Sequence, residues 1–260
     1  MRIVVLVKYV PDATAERSFA ADGTVDRAAA DGLLSELDEY AIEQALQIAD
    51  EGDDVEVVAM TLGPDDAADA IKRSLQMGAS AGIHINDEAV HGSDSLATSA
   101  VLAAAIAKAE PDLVVCGMAS TDGAMGVVPA MIAERLGWPG LTFGATLSVS
   151  GDTVSIRRDG DVASQTIEAS LPAVVSVTDQ SGEARYPSMK GILAAKKKPV
   201  QQWTLADLGL EPATVGLAAA SSTVLETTQR PPKEAGRIVP DSDGAGSAAL
   251  VDFLSAGKYI

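Results

Sequence analysis

Four short apolar runs, residues 3–7, 55–60, 81–85 and 113–116, recur through the first half of the chain. Apart from Glu56 and His84 they are apolar rather than alternating, the pattern of strands buried on both faces. Helical patterns lie between them. Leu37, Ala41, Ala45 and Ile48 recur at helical spacing after Ser35-Glu36-Leu37-Asp38, which resembles a capping box with Asp in the usual Glu/Gln place, and Gly52 stops that helix. The next helix carries Asp65 and Asp66 in its first turn, Lys72 and Arg73 near its end, and Gly78 as its stop. Ser93 or Asp94 caps a third helix over 95–109. Strand alternating with helix predicts an α/β fold: a mostly parallel sheet, helices on both faces, right-handed crossovers. Ligands of such sheets bind beyond the carboxyl ends of the strands. Three such ends, 8–12, 61–64 and 117–126, are expected to meet in one crevice.

The texture changes after residue 140. Thr/Ser/Val-rich runs at 141–149, 154–158 and 162–169, separated by Gly151-Asp152 and Gly160, predict an antiparallel ribbon over about 141–170. Asp22-Gly23 predicts a hairpin over 19–27. A further strand is expected at 173–177. From Arg230 onward Pro, Gly, Asp and Ser dominate, which predicts an extended arm ending in a short helix over 248–256.

Only 3% of the residues are aromatic against 47% hydrophobic, so the core must be built from Ala, Val, Leu and Ile. Nineteen Lys and Arg against 37 Asp and Glu give a net charge of −18, which argues against nucleic acid as a partner. Cys116 is the single cysteine, so no internal disulfide forms; its apolar strand marks it as an inert core thiol. The N-terminal apolar run is too short for a signal peptide, and no run reaches the length of a membrane span. A cytoplasmic protein without membrane insertion is expected.

The segment 112–139 carries the most chemical information. A strand ends at Gly117, a loop with Gly123 and Gly126 follows, and a helix begins with Pro129 in its first turn and ends at Gly137. Strand, glycine-bearing loop and helix N-terminus make either a plain strand–helix connection or a cradle for an anion. The loop lacks Gly-x-x-x-x-Gly-Lys-Ser/Thr and Gly-x-Gly-x-x-Gly, so neither a nucleoside-triphosphatase loop nor the usual dinucleotide fingerprint is present. It contains no basic residue, so phosphate contacts are expected from backbone N–H and hydroxyl groups, which suits a bound monophosphate rather than phosphoryl transfer. His84 and His91 belong to no metal-ligand cluster, no Gly-x-Ser-x-Gly elbow occurs, and the dipole explains the paired carboxylates Asp38/Glu39 and Asp65/Asp66. No catalytic set and no metal site is expected. Lys190 and Lys196-Lys197-Lys198, beside Tyr186, Met189, Ile192 and Leu193, read either as a solvated turn or as a docking contact with an apolar centre and a charged rim.

In order along residues 2 to about 210, these segments resemble the electron transfer flavoprotein beta subunit. The matching motifs are Val5-Leu6-Val7-Lys8-Tyr9-Val10-Pro11-Asp12, Asp38-Glu39-Tyr40-Ala41-Ile42-Glu43-Gln44-Ala45, Gly63-Pro64, 70–79, 112–139, Leu171-Pro172-Ala173-Val174-Val175 and 185–198. The resemblance implies an adenine-nucleotide alpha-hydrolase-like domain over 1–210 and a C-terminal arm over 211–260 that packs on an alpha subunit. It implies an electron carrier, not an enzyme. A structural AMP would sit in this subunit, and a redox-active FAD would be held mainly by the alpha subunit. Electrons would come from acyl-CoA and other dehydrogenases and pass to a membrane quinone oxidoreductase. The implied AMP contacts are Leu6, Ser35, Glu36, Leu37, Asp38, Leu62, Gly117, Met118, Ala119, Ser120, Thr121, Asp122, Gly123, Ala124, Met125, Gly126, Val127 and Val128. Many members carry Asp-Gly-Asp-Thr-Ala-Gln where this chain has Asp122-Gly123-Ala124-Met125-Gly126-Val127, so Asp122, Ser120, Thr121 and backbone N–H groups are left to make the contacts. The implied recognition loop is 185–198, with Tyr186, Met189, Ile192, Leu193 and Lys197 docking on the dehydrogenase and Met189 where well-studied members have Leu.

Three other readings compete. An ATP pyrophosphatase of this fold needs a Ser-Gly-Gly-x-Asp-Ser type loop after the first strand, where this chain has Lys8-Tyr9-Val10-Pro11-Asp12. A nucleotide-sensing stress protein is shorter and lacks the ribbon and arm. An electron-bifurcating homologue would hold a second FAD in place of AMP.

Overall fold

The computed structural model describes residues 1–229, 231, 235–241 and 243–260. Twelve strands are found among them: β1 (Arg2–Leu6), β2 (Tyr9–Pro11), β3 (Gly32–Leu34), β4 (Glu56–Leu62), β5 (Ala81–Ile85), β6 (Leu113–Gly117), β7 (Gly140–Gly144), β8 (Thr146–Ser150), β9 (Thr153–Asp159), β10 (Ser164–Ser170), β11 (Ala173–Val177) and β12 (Val200–Trp203). The α-helices are α1 (Glu36–Glu51), α2 (Ala68–Met77), α3 (Ser95–Ala109), α4 (Val128–Leu136), α5 (Met189–Ala195), α6 (Gly216–Ala219) and α7 (Ala245–Ala256).

Seven strands form one sheet in the order β12-β5-β4-β1-β6-β11-β7, and every pairing in it is parallel. Alternate residues of the central strand face opposite layers. Ile3 and Val5 pack with Ile42 of α1 and Ile71 and Leu75 of α2; Val4 and Leu6 pack with Val101 and Ile106 of α3 and Ile132 of α4. This is the expected α/β architecture, and it explains why the strands are apolar rather than alternating.

Two expectations about strands need correction. The run 141–149 is not one ribbon strand. It breaks at Ala145 into β7, the parallel edge of the main sheet, and β8, which joins β9 and β10 in a separate antiparallel sheet. Phe143, with a left-handed φ of 63°, and the register shift opposite it between Val175 and Val177 turn the chain out of the main sheet. Around Asp22-Gly23 the turn forms, with Gly23 at φ 80°, but only the single bridge Phe19–Val25 flanks it. Its flanking residues bury too little apolar surface to extend a ladder.

The chain divides into two compact units, Met1–Glu226 and Thr227–Ile260. The first runs past position 210 because 211–226 is tied to the start of α3: Gly216 N–H donates to Ser93 Oγ (2.8 Å) and Ser221 N–H to Asp94 Oδ2 (2.7 Å). The second unit contains α7, longer at its start than the expected 248–256. Part of the expected extended arm, Arg230, Pro232, Lys233, Glu234 and Ser242, lies outside the described residues.

Candidate functional site

From β1 the chain builds outward to β4 and β5, then returns to β6 on the other side of β1. The strand order therefore reverses between β1 and β6, the place where open α/β sheets bind ligands. A cavity of about 270 Å³ opens there. Its walls are Leu6, Val7 and Lys8 from β1 and its exit, Met60 and Leu62 from β4, Cys116 and Gly117 from β6, and the following loop to Pro129. The three strand ends named from the sequence do converge.

Ten of the residues named from the sequence line this cavity: Leu6, Asp38, Leu62, Gly117, Ala119, Ser120, Gly123, Met125, Gly126 and Val128. Ser35, Glu36, Leu37, Met118, Thr121, Asp122, Ala124 and Val127 are not part of its wall. The sequence placed Lys8 at the crevice but gave its side chain no role, and it missed the start of α3, where Ser93, Asp94, Ser95, Thr98 and Leu102 contribute.

Asp38 is the structural hinge of the crevice. The capping box expected at Ser35 does not form: Ser35 Oγ is buried without a partner and caps no helix N–H. Asp38 instead reaches across the strand ends. Its Oδ2 accepts from Lys8 N–H (2.8 Å), and the Gly117 N–H lies near enough to favour the charged carboxylate. The same Lys8 peptide accepts from Ser35 N–H through its carbonyl (2.8 Å). The start of α1 thus clamps the exits of β1 and β6, a role the helix dipole does not account for. Burial pushes the Asp38 carboxyl up to about 7, against the pull of these two N–H groups and the Lys8 charge.

This raised value predicts a pH dependence. A carboxyl raised on folding stabilises in its protonated form, fully below the ordinary Asp value of about 3.9, and that contribution is lost as pH rises through about 7. Asp38→Asn removes the titration. The stability of the variant relative to the parent, from denaturant unfolding, should therefore climb between roughly pH 4 and pH 7. A constant difference over that range would contradict the assignment.

The loop after β6 has a cation after all, supplied from β1. Lys8 Nζ donates to Asp122 Oδ1 (2.9 Å) and Ser120 Oγ (3.4 Å), and Arg27 donates to Asp122 Oδ2 (2.6 Å). The Asp122 side chain is only 3% exposed. Burial alone would raise it, but Lys8, Ser120 and Arg27 hold it well below the usual carboxylate range. Asp122→Asn should cost about 1–3 kcal/mol, because two cations lose their shared partner, and should speed protease cleavage within 118–126. Unchanged stability and cleavage would show that the ion pairs do not order the loop.

Two helix starts face the cavity, and they differ. Asp94 caps α3, accepting from Ala97 N–H (3.0 Å), so a carboxylate already occupies that end. No side chain caps α4, where Val127 is the N-cap. An anion is therefore favoured at the α4 end, near Lys8 and Ser120, and disfavoured at the α3 end.

Cys116 is buried, and both burial and the Asp38 charge push its thiol up, which fits an inert core residue. His84 is buried as well; its Nε2 donates to the carbonyls of Gly63 (3.0 Å) and Pro64 (3.1 Å), tying β5 to the turn after β4. Among the described residues no helix is long and apolar enough to cross a membrane.

The segment around Met189 forms the short helix α5, capped by Ser188, whose Oγ accepts from Gly191 N–H (3.0 Å). Tyr186, Met189 and Leu193 are 89%, 75% and 61% exposed. Ile192 is half-buried and Lys197 exposed. Lys198 does not join the basic rim: its Nζ turns inward to the carbonyls of Leu75 (2.9 Å) and Gly78 (3.2 Å) at the end of α2.

Known proteins match this architecture along the chain. Residues 22–208 match the family model described as the electron transfer flavoprotein domain. The chain is 47% identical to the electron transfer flavoprotein subunit beta of Mycobacterium tuberculosis (strain ATCC 25618 / H37Rv), over 99% of both chains. It is 34% identical to the caffeyl-CoA reductase-Etf complex subunit CarD of Acetobacterium woodii over 92% of both, and 32% identical to the subunit beta of Clostridium acetobutylicum over the full length of both. An α/β chain with a crevice at the reversal of strand order, matched in this way over nearly all its length, belongs to the electron transfer flavoprotein family, in its beta-subunit branch.

Proposed function

We propose that this chain is the beta subunit of a heterodimeric electron carrier, holding AMP as a structural nucleotide in the crevice between β1 and β6. The cavity supports this reading most directly. It offers apolar walls at Leu6, Met60, Leu62 and Leu102 for a base. It offers a cation, a hydroxyl and an uncapped helix start for one phosphate at the opposite end. That donor set fits a monophosphate: two side-chain groups and backbone N–H groups suffice, with no metal clamp. Gly117 lets the backbone of β6 come close to α1, so the nucleotide's floor is rigid.

The redox group is an FAD held mainly by the alpha subunit, which supplies the electron-accepting chemistry when bound. In this reading the beta chain supports that partner, with the second unit, Thr227–Ile260, as the arm that packs on it. Acyl-CoA and other dehydrogenases dock on Tyr186, Met189, Ile192, Leu193 and Lys197, and a membrane quinone oxidoreductase receives the electrons. The cytoplasm is the compartment this reading implies.

Co-expression with the alpha subunit tests it. The purified complex should show a flavin spectrum that an acyl-CoA dehydrogenase and its substrate bleach. Met189→Ala should slow that bleaching about tenfold, the loss of one buried anchor worth roughly 1.4 kcal/mol, without loss of flavin. Unchanged bleaching kinetics would remove the docking assignment.

A further inference from the structure

The exposed apolar side chains of 186–193 sit on a segment that is held at both ends. At its start, Arg185 makes a fork with α1. Its Nε donates to Glu43 Oε2 (2.7 Å), its Nη2 to Glu43 Oε1 (3.0 Å) and to Asp50 Oδ2 (2.9 Å), and its backbone N–H to Glu43 Oε2 (3.0 Å). Glu43 is itself fixed, accepting from Gln47 Nε2 (2.9 Å), and Gln44 one residue on donates to the Ser181 carbonyl (2.9 Å). Burial pushes the Glu43 carboxyl up, but the Arg185 hydrogen bonds bring it below the usual carboxylate range, so the pair is ionised at neutral pH. At the far end Lys198 is pinned to the last turn of α2. In between, α5 lies directly on α2: a Cβ at Gly191 would stand 2.5 Å from the Gln76 carbonyl oxygen.

The fork belongs to neither hydrophobic core cluster; it joins the buried Glu43 of α1 to the start of the exposed segment. Tyr186, the very next residue, and Met189 and Leu193 stand exposed to water beyond it. Large apolar groups displayed in this way mark an interaction surface, and ordering them before contact removes a cost that a partner would otherwise meet on binding. A planar guanidinium is the group suited to this, because its fork fixes direction as well as charge.

We propose that Arg185, through Glu43 and Asp50, is a positioning residue that presets the docking surface for an electron-donating flavoprotein dehydrogenase. This rests on the docking reading above. The occupant is a protein with an apolar pocket bordered by acidic groups, since Lys190, Lys196 and Lys197 are exposed around the three anchors.

The test uses the flavin-loaded heterodimer as electron acceptor of an acyl-CoA dehydrogenase, with Arg185→Lys, Glu43→Gln and Met189→Ala as three separate variants. Arg185→Lys and Glu43→Gln should each raise the KM for the heterodimer about tenfold while kcat and flavin content stay as in the parent. Glu43→Gln should also be cut faster by trypsin after Lys190, Lys196 or Lys197, a readout that needs no partner. An unchanged KM in both fork variants, with Met189→Ala impaired, would overturn the positioning role. A fall in kcat or flavin content with no rise in KM would overturn it too, pointing to a structural role alone. An unchanged KM in Met189→Ala would overturn the docking reading beneath it.

Discussion

Asp38→Ala is expected to destabilise the protein by about 1–3 kcal/mol and to empty the crevice of nucleotide. The carboxylate accepts from Lys8 N–H at 2.8 Å, at the exit of β1, and lies close against Gly117 at the exit of β6. Alanine leaves the Lys8 N–H without that acceptor, and such an orphan costs about 1–3 kcal/mol. The exits of β1 and β6 would then separate, and Lys8 would lose the backbone anchor that aims its ammonium at Ser120 and Asp122. Denaturant unfolding measures the first effect, and nucleotide released on denaturing the purified complex measures the second. A variant within about 1 kcal/mol of the parent that retains its nucleotide would contradict the clamp.

Gly117→Ala is expected to be comparably severe for a different reason. Gly117 does not need glycine's freedom at positive φ, as its backbone is ordinary strand. It needs the missing side chain. A Cβ there would lie 2.5 Å from Asp38 Oδ1 and 2.8 Å from the Leu37 carbonyl oxygen. The second neighbour is backbone at the start of α1 and cannot swing away, so the helix must move or β6 must retreat. Overpacking of this kind costs about 1–3 kcal/mol, and here the displacement falls on the floor of the crevice. On the proposed reading, in which the alpha subunit holds the flavin, the variant should fold with FAD present in the complex and lose the nucleotide of this chain. Equal retention of both would show that α1 and β6 are not the nucleotide's floor.

The fold was largely legible because its strands are buried on both faces and its helices carry ordinary stops. Ala81–Ile85, Ala173–Val177 and the helix over 95–109 lie where the pattern puts them. The split between β7 and β8 was not legible: a Thr/Ser/Val-rich run reads the same whether its start joins a parallel edge or a ribbon, and only the turn at Phe143 decides. At the site, the backbone parts were readable from Gly117, Gly123 and Gly126. The side-chain parts were not. Lys8 meets Ser120 and Asp122 across 112 and 114 residues of chain, a pairing with no local signature. Asp38 looked like a first-turn carboxylate serving the dipole, and only the crossing of α1 over two strand exits turns it inward. The start of α3 was read as a cap, correctly, but nothing in its sequence says that the cap also borders a cavity.

The nucleotide content of the assembled heterodimer tests the central claim most directly. The complex, purified without added nucleotide, is denatured and its released cofactors are separated and quantified. The account predicts one AMP and one FAD per heterodimer, with the AMP lost and the FAD kept in Gly117→Ala. Two FAD per heterodimer, or no adenine nucleotide besides a single FAD, would contradict it.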